Sequence, residues 1–165
     1  AYGMGAPGLA DRLNIPVDEA RGIMDSYFEV FEGVAEFLDR IVKQAHADGF
    51  TTTMFGRRRY LPELGSGNPR VRAIGERQAL NAPIQGSAAD IMKLAMIEVD
   101  RALAAERMGT KMILTVHDEL VFEVPEAETE RATELVVAGM TGVAEMKVPL
   151  VVDVSLGSNW AEAKG

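Results

Sequence analysis

Beyond Asn14-Ile15-Pro16, apolar residues recur every three or four positions at Ala20, Ile23, Tyr27, Val30, Val34, Phe37, Ile41 and Ala45, the stripe of a long amphipathic helix. Pro16, Asp18 and Glu19 suit its start and Asp48-Gly49 its end. Gly33 costs about 1 kcal/mol relative to alanine inside such a helix, so a bend or break is expected there. The aromatic members of the stripe are read as core.

A short apolar and threonine run at 50–53, an arginine-rich turn and Tyr60-Leu61-Pro62 predict a small ribbon leading into the loop Gly65-Ser66-Gly67-Asn68-Pro69. Asn68 is placed to cap, and Pro69 to open, the next helix. That helix should break near Ala82-Pro83, because proline lacks a backbone donor and disfavours helical geometry in the residue before it. It should restart at Ser87-Ala88-Ala89-Asp90, a capping-box-like pattern, with an apolar stripe at Ala88, Ile91, Met92, Ala95, Val99, Ala102 and Leu103.

Two apolar runs follow, 112–116 and 120–124, rich in β-branched and aromatic residues as half-buried strands are. Between them stands His117-Asp118-Glu119, the expected tip of a hairpin. A helix over 126–141 and a strand over 150–154 complete the pattern. Three strands and several helices out of strict alternation predict an α+β fold, with long helices covering one face of a small antiparallel sheet.

The tip lacks the Asn-Gly or Asp-Gly that a tight hairpin prefers, so its residues look chosen for their side chains. Two adjacent carboxylates, Asp118 and Glu119, suit Mg²⁺, a hard cation held by one or two carboxylates together with substrate phosphates. Charged hairpin tips are also commonly just solvated, and these three residues alone leave both readings open.

Charge is distributed unevenly. The chain carries −8 overall, yet residues 51–80 hold six arginines against two acids, a net +4 that leaves −12 on the remainder. A basic stripe on an acidic body fits a face that meets phosphate, where counterion release supplies affinity without sequence preference; a solvated arginine loop is the other reading. With 165 residues and 47% hydrophobic content the chain is long enough for one domain with a real core. Without cysteine it has neither disulfides nor thiolate metal sites. No apolar run approaches the roughly 20 residues that span a membrane, so a soluble, cytoplasmic protein is expected.

Four stretches in order, Tyr2-Gly3-Met4, the arginine ribbon 55–62 (FGRRRYLP), the helix segment 76–91 (ERQALNAPIQGSAADI) and Val116-His117-Asp118-Glu119, followed by Gly157-Ser158-Asn159-Trp160, resemble the polymerase domain of the family A DNA polymerases, the bacterial DNA polymerase I type. The resemblance runs the length of the chain. It implies the C-terminal part of a right-hand polymerase domain, with residues 1–80 mainly fingers helices and basic ribbon and 81–165 mainly palm.

The implied activity is DNA-directed DNA synthesis in replication or repair, with two Mg²⁺ ions, primer-template DNA and deoxynucleoside triphosphates as partners, nucleoid association, and a monomeric parent. Asp118 matches the family's second catalytic aspartate and metal ligand, and Glu119 its less essential neighbour. Tyr2 matches the last turn of the nucleotide-binding helix, Arg77, Asn81 and Gln85 match positions that contact primer, template or the nascent pair, and His117 matches a histidine near the primer terminus. The spacing of Arg77, Asn81 and Gln85 puts at least the first two on one helix face. Donors there suit the minor groove, whose acceptors test base-pair geometry without reading sequence.

The family's first catalytic aspartate, on an Asp-Tyr-Ser-Gln type segment, is absent from these residues, as are the thumb and the cationic residues of the nucleotide-binding helix. The chain alone is therefore expected to be inactive. Its own role then reads as half of a metal site with part of a duplex grip, or as a noncatalytic duplex-binding or structural fragment. A metal-dependent nuclease fits less well, for want of a second separated carboxylate segment or a general base.

Overall fold

Pro7 at its start and Asn14 in the left-handed conformation at its end delimit α1, Ala6–Leu13, a helix that the hydrophobic pattern had not singled out. The long stripe that follows forms two helices, α2 over Val17–Val30 and α3 over Glu32–Asp48, which ends at Gly49 with φ 74°. The break falls at Phe31 and not at Gly33. Phe31 leaves helical geometry at φ −115°, ψ 57°, and its ring lies 4.9 Å from that of Tyr27, which also meets Phe28 at 5.3 Å. Ring pairs are worth about 0.5–1.5 kcal/mol, comparable to the cost of a helical glycine, and they cluster at the bend that the chain makes.

The structure, a computed structural model, describes residues 4–164. These form two units, Ala1–Ala88 and Ala89–Gly165. In the first, β1 (Phe50–Thr52) pairs antiparallel with β2 (Arg58–Tyr60) in the register Phe50↔Tyr60, Thr51↔Arg59, Thr52↔Arg58. A 3-10 turn over Pro62–Gly65 follows. The core gathers Ala45, Leu61, Leu64 and Ala79, with Ile41 packed against it. Expectation and structure part at the aromatic stripe: Ala20 and Ala45 are fully buried, whereas Ile23, Tyr27, Val30 and Phe37 are exposed.

Asn68 caps α4 as its side chain predicts, with the Arg70 N–H donating to Asn68 Oδ1 at 2.9 Å. Helix α4 then runs unbroken over Pro69–Ala105, 37 residues with Pro83 inside, so the expected break and restart do not occur. Interior proline costs about 3 kcal/mol. That cost is offset by packing on both sides of the turn: Ala79 and Ala82 are buried, and the ribbon bonds to Gly86 and Ser87. Ser87 is not a helix cap. Its hydroxyl donates back to the Pro83 carbonyl, a mid-helix bond that serine readily makes.

In the second unit, β3 (Lys111–Val116) and β4 (Glu119–Glu123) form the hairpin, with a bulge between Met112 and Leu114. A 3-10 turn over Glu126–Glu128 precedes α5, Thr129–Thr141, and α6 spans Trp160–Lys164. The later half of α4 supplies buried Ala95, Val99 and Leu103. Helix α5 lies directly on it, since a Cβ at Gly139 would stand 2.7 Å from Val99 Cγ2. Residues 150–154 form no strand. Instead of one three-stranded sheet, the described residues hold two two-stranded antiparallel sheets, still an α+β arrangement. No helix among them is long and apolar enough to cross a membrane.

Candidate active site

Alternation of apolar residues builds the hairpin, and its tip is tighter than the sequence implied. His117-Asp118 forms a two-residue turn, while Glu119 opens β4 opposite Val116. Such turns need a positive φ at the first central residue, a role glycine or asparagine usually fills. Here His117 takes it, at φ 54°. Left-handed backbone at a non-glycine residue costs on the order of 1–3 kcal/mol and persists where the surroundings over-determine it, often at functional sites.

Asp118 is exposed at the apex. Glu119 is partnered: Lys164 Nζ lies 3.3 Å from its Oε2, and the same ammonium sits 5.2 Å from the Trp160 ring centroid. Helix α6 thus places an ammonium beside Glu119, while Asp118 stands exposed next to it. Among the described residues no three His, Cys, Asp or Glu side chains converge as a metal-binding group. The oxygen donors of the tip suit a hard cation, but they amount to part of a coordination shell.

In the first unit the continuous α4 carries Arg77, Asn81 and Gln85 along one face. At 1.5 Å per residue they span about 12 Å, and because the helix persists through Pro83, Gln85 stays on the stripe with the other two. Arg77 and Gln85 are exposed and Asn81 half-buried. Gln85 joins Arg57, Arg59 and Thr51, Thr52 and Thr53 around a hollow of about 170 Å³. The helix residues fall in the first unit and the hairpin residues in the second.

The scaffold of that hollow had escaped sequence reasoning. The Met54 N–H donates to Ser87 Oγ at 2.9 Å, the Arg57 guanidinium donates to the Gly86 carbonyl at 3.1 Å, and the Arg57 N–H donates to Thr53 Oγ1 at 3.2 Å. Gly86 permits the approach, because a Cβ there would lie 2.7 Å from Thr53 Cγ2. The signal was present as Gly86-Ser87 after Pro83, but it read as a helix restart. Tyr2, the expected nucleotide-binding residue, lies outside the described residues.

Residues 1–162 match the model of the DNA polymerase family A. The chain is 52% identical over 163 residues to DNA polymerase I of Mycobacterium tuberculosis, covering 99% of this chain and 18% of that polymerase. Against DNA polymerase I of Streptococcus pneumoniae it is 45% identical, covering 99% of this chain and 19% of the relative. A solved POL domain of Pol1 from M. smegmatis, in complex with DNA primer-template and dNTP, superposes with a TM-score of 0.97 at 49% identity, over 99% of this chain and 29% of that one. The chain therefore spans less than a fifth of the length of these DNA polymerase I relatives. A family match over residues 1–162, which take in the ribbon, the α4 face and the hairpin, leaves one conclusion: this chain belongs to the DNA polymerase family A.

Proposed function

We propose that this chain is the part of a DNA-directed DNA polymerase that supplies one metal-binding carboxylate and a share of the duplex grip, in template-dependent nucleotidyl transfer to a primer 3′-hydroxyl. The observation that carries this reading is Asp118, exposed on a strained two-residue turn in a chain of this family. Asp118 is assigned as a ligand of Mg²⁺, with Glu119 as its less critical neighbour. In the reaction the primer hydroxyl loses its proton, its oxygen bonds to the α-phosphorus, and the bond to pyrophosphate breaks. Asp118, with Glu119 beside it, would hold divalent metal that would supply charge stabilisation to the attacking and leaving oxygens. The remaining acidic ligand is assigned to a polymerase segment outside these residues, which accords with the partial donor set at the tip.

Arg77, Asn81 and Gln85 are assigned to the primer-template, with Arg57 and Arg59 near Gln85 supplying phosphate contacts that hold the duplex without reading its sequence. His117 is assigned to the primer terminus and Tyr2 to the incoming nucleotide. The test is primer extension by a complete polymerase carrying this segment. Template-directed incorporation that depends on Mg²⁺ and falls at least about a hundredfold in Asp118→Ala, the scale for losing one positioned charge-stabilising group, is expected. Near-normal extension by Asp118→Ala would overturn the assignment. For the chain by itself a noncatalytic role is favoured, because its described residues bring together no complete metal-binding group.

A further inference from the structure

Glu128 closes the base of the hairpin. The chain leaves α4 through Arg107, itself left-handed at φ 55°, and reaches β3 by way of Gly109 and Thr110. After β4 it turns at Pro125 into the 3-10 turn that ends at Glu128. There the Glu128 carboxylate accepts three bonds from the opposite side. The Gly109 N–H donates to Oε1 at 2.8 Å, the Thr110 N–H to Oε2 at 2.9 Å, and the Thr110 hydroxyl to Oε2 at 2.7 Å. Thr110 is buried. The fit is close: a Cβ at Gly109 would stand 3.2 Å from Pro125 Cγ and 3.3 Å from Glu128 Oε1.

This clasp extends the strand ladder beyond its last pair, Lys111↔Glu123, at the end opposite the turn. Register needs such a device here. A two-stranded hairpin alone is marginal in water, a one-residue slip turns every side chain to the other face, and the bulge between Met112 and Leu114 offers a place for one strand to shift. The left-handed His117 adds strain at the tip that a loose base would relieve by re-pairing. Glu128 meets the backbone and hydroxyl of Gly109 and Thr110, so its effect on the tip passes through the strands.

We propose that Glu128 is a positioning residue for the His117-Asp118 turn: by gripping Gly109 and Thr110 it fixes the hairpin register and thereby how tightly Asp118 holds a divalent cation. The inference rests on the assignment of Asp118 as a metal ligand. The three bonds to Gly109 and Thr110 also hold the Glu128 carboxyl below its ordinary value, as expected of a carboxylate whose charged form is being used.

The experiment titrates a complete polymerase carrying this segment, with its primer-template, in two ways: Mn²⁺ binding, read from the EPR signal of the free ion and expected to weaken in the variants, and the Mg²⁺ dependence of primer extension. Glu128→Gln replaces one acceptor with an amide donor and leaves an N–H of Gly109 or Thr110 facing it. The Mg²⁺ concentration for half-maximal extension should rise severalfold, less than the roughly tenfold or more that follows loss of a partner bonded directly to a metal ligand, with primer-template affinity unchanged. Thr110→Val, which deletes only the hydroxyl donor, should shift the midpoint the same way by less. A merely structural role would lower thermal stability or duplex binding and leave the midpoint in place. An unmoved midpoint in Glu128→Gln, or in Thr110→Val should the glutamine variant fail to fold, would overturn the inference. Full extension by Asp118→Ala would instead locate the failure in the metal assignment.

Discussion

His117 occupies a backbone conformation that histidine enters at a cost, φ 54° at the first position of a two-residue turn. Glycine there would relieve the strain, so His117→Gly should raise stability by about 1 kcal/mol in denaturant titration, at the lower end of that cost. In a complete polymerase the same change should slow extension, since the imidazole assigned to the primer terminus is gone. Faster or unchanged extension would remove His117 from the site. The side chains of this turn were legible in the sequence because two apolar runs frame them. Its backbone was not: the tripeptide 117–119 read as one apex, whereas Glu119 is drawn into β4 and paired with Lys164, a partner 45 positions away. Glu128 was equally illegible, because its bonds to Gly109 and Thr110 exist only once the hairpin has closed.

Local signals identified the start of α2, the end of α3 and the start of α4, since Gly49 and Asn68 act through their immediate neighbours, but they misplaced the break between α2 and α3. They failed at Pro83, where long-range packing outweighed a local cost. The ribbon's grip on Gly86 and Ser87 makes that packing testable. Gly86→Ala puts a methyl against Thr53 Cγ2 at 2.7 Å and should destabilise by about 1–3 kcal/mol, the usual penalty of overpacking. Thr53→Ser, which removes the opposing methyl, should recover part of the loss, and strict additivity of the two changes would contradict the close approach. The hairpin base carries a pH signature. The Glu128 carboxyl lies below its ordinary value of 4.5, chiefly through the Gly109 N–H and the Thr110 side chain, so its contribution is complete above that value and is lost as pH falls through the folded one. Protection of the amides across residues 111–123, taken relative to the intrinsic exchange rate at each pH, should therefore fall on acidification below about 4.5, and Glu128→Gln should remove that loss of protection.

Among the described residues several apolar side chains stand exposed in each unit. Val30, Val148, Val151 and Leu156 are 74, 69, 81 and 65% exposed, in a chain spanning 18% of a DNA polymerase I relative. Periodicity marked the α2–α3 stripe as core because a 3.6-residue repeat reports that a face is apolar, not which element covers it; the missing strand at 150–154 failed for the same reason. On its own the 165-residue protein should extend no primer at any Mg²⁺ or nucleotide concentration, because one carboxylate tip cannot position two ions. Any duplex binding through residues 57–77 should fall steeply with salt, at a log–log slope of about −0.9 per phosphate contact. Incorporation by the purified chain that Asp118→Ala abolishes would contradict this. The central claim, that Asp118 holds a catalytic cation, is tested most directly by counting Mn²⁺ bound to a complete polymerase and its primer-template through the EPR signal of the free ion. Asp118→Ala should lose tightly held Mn²⁺ while keeping its grip on the duplex; equal stoichiometry and affinity in both proteins would contradict the assignment.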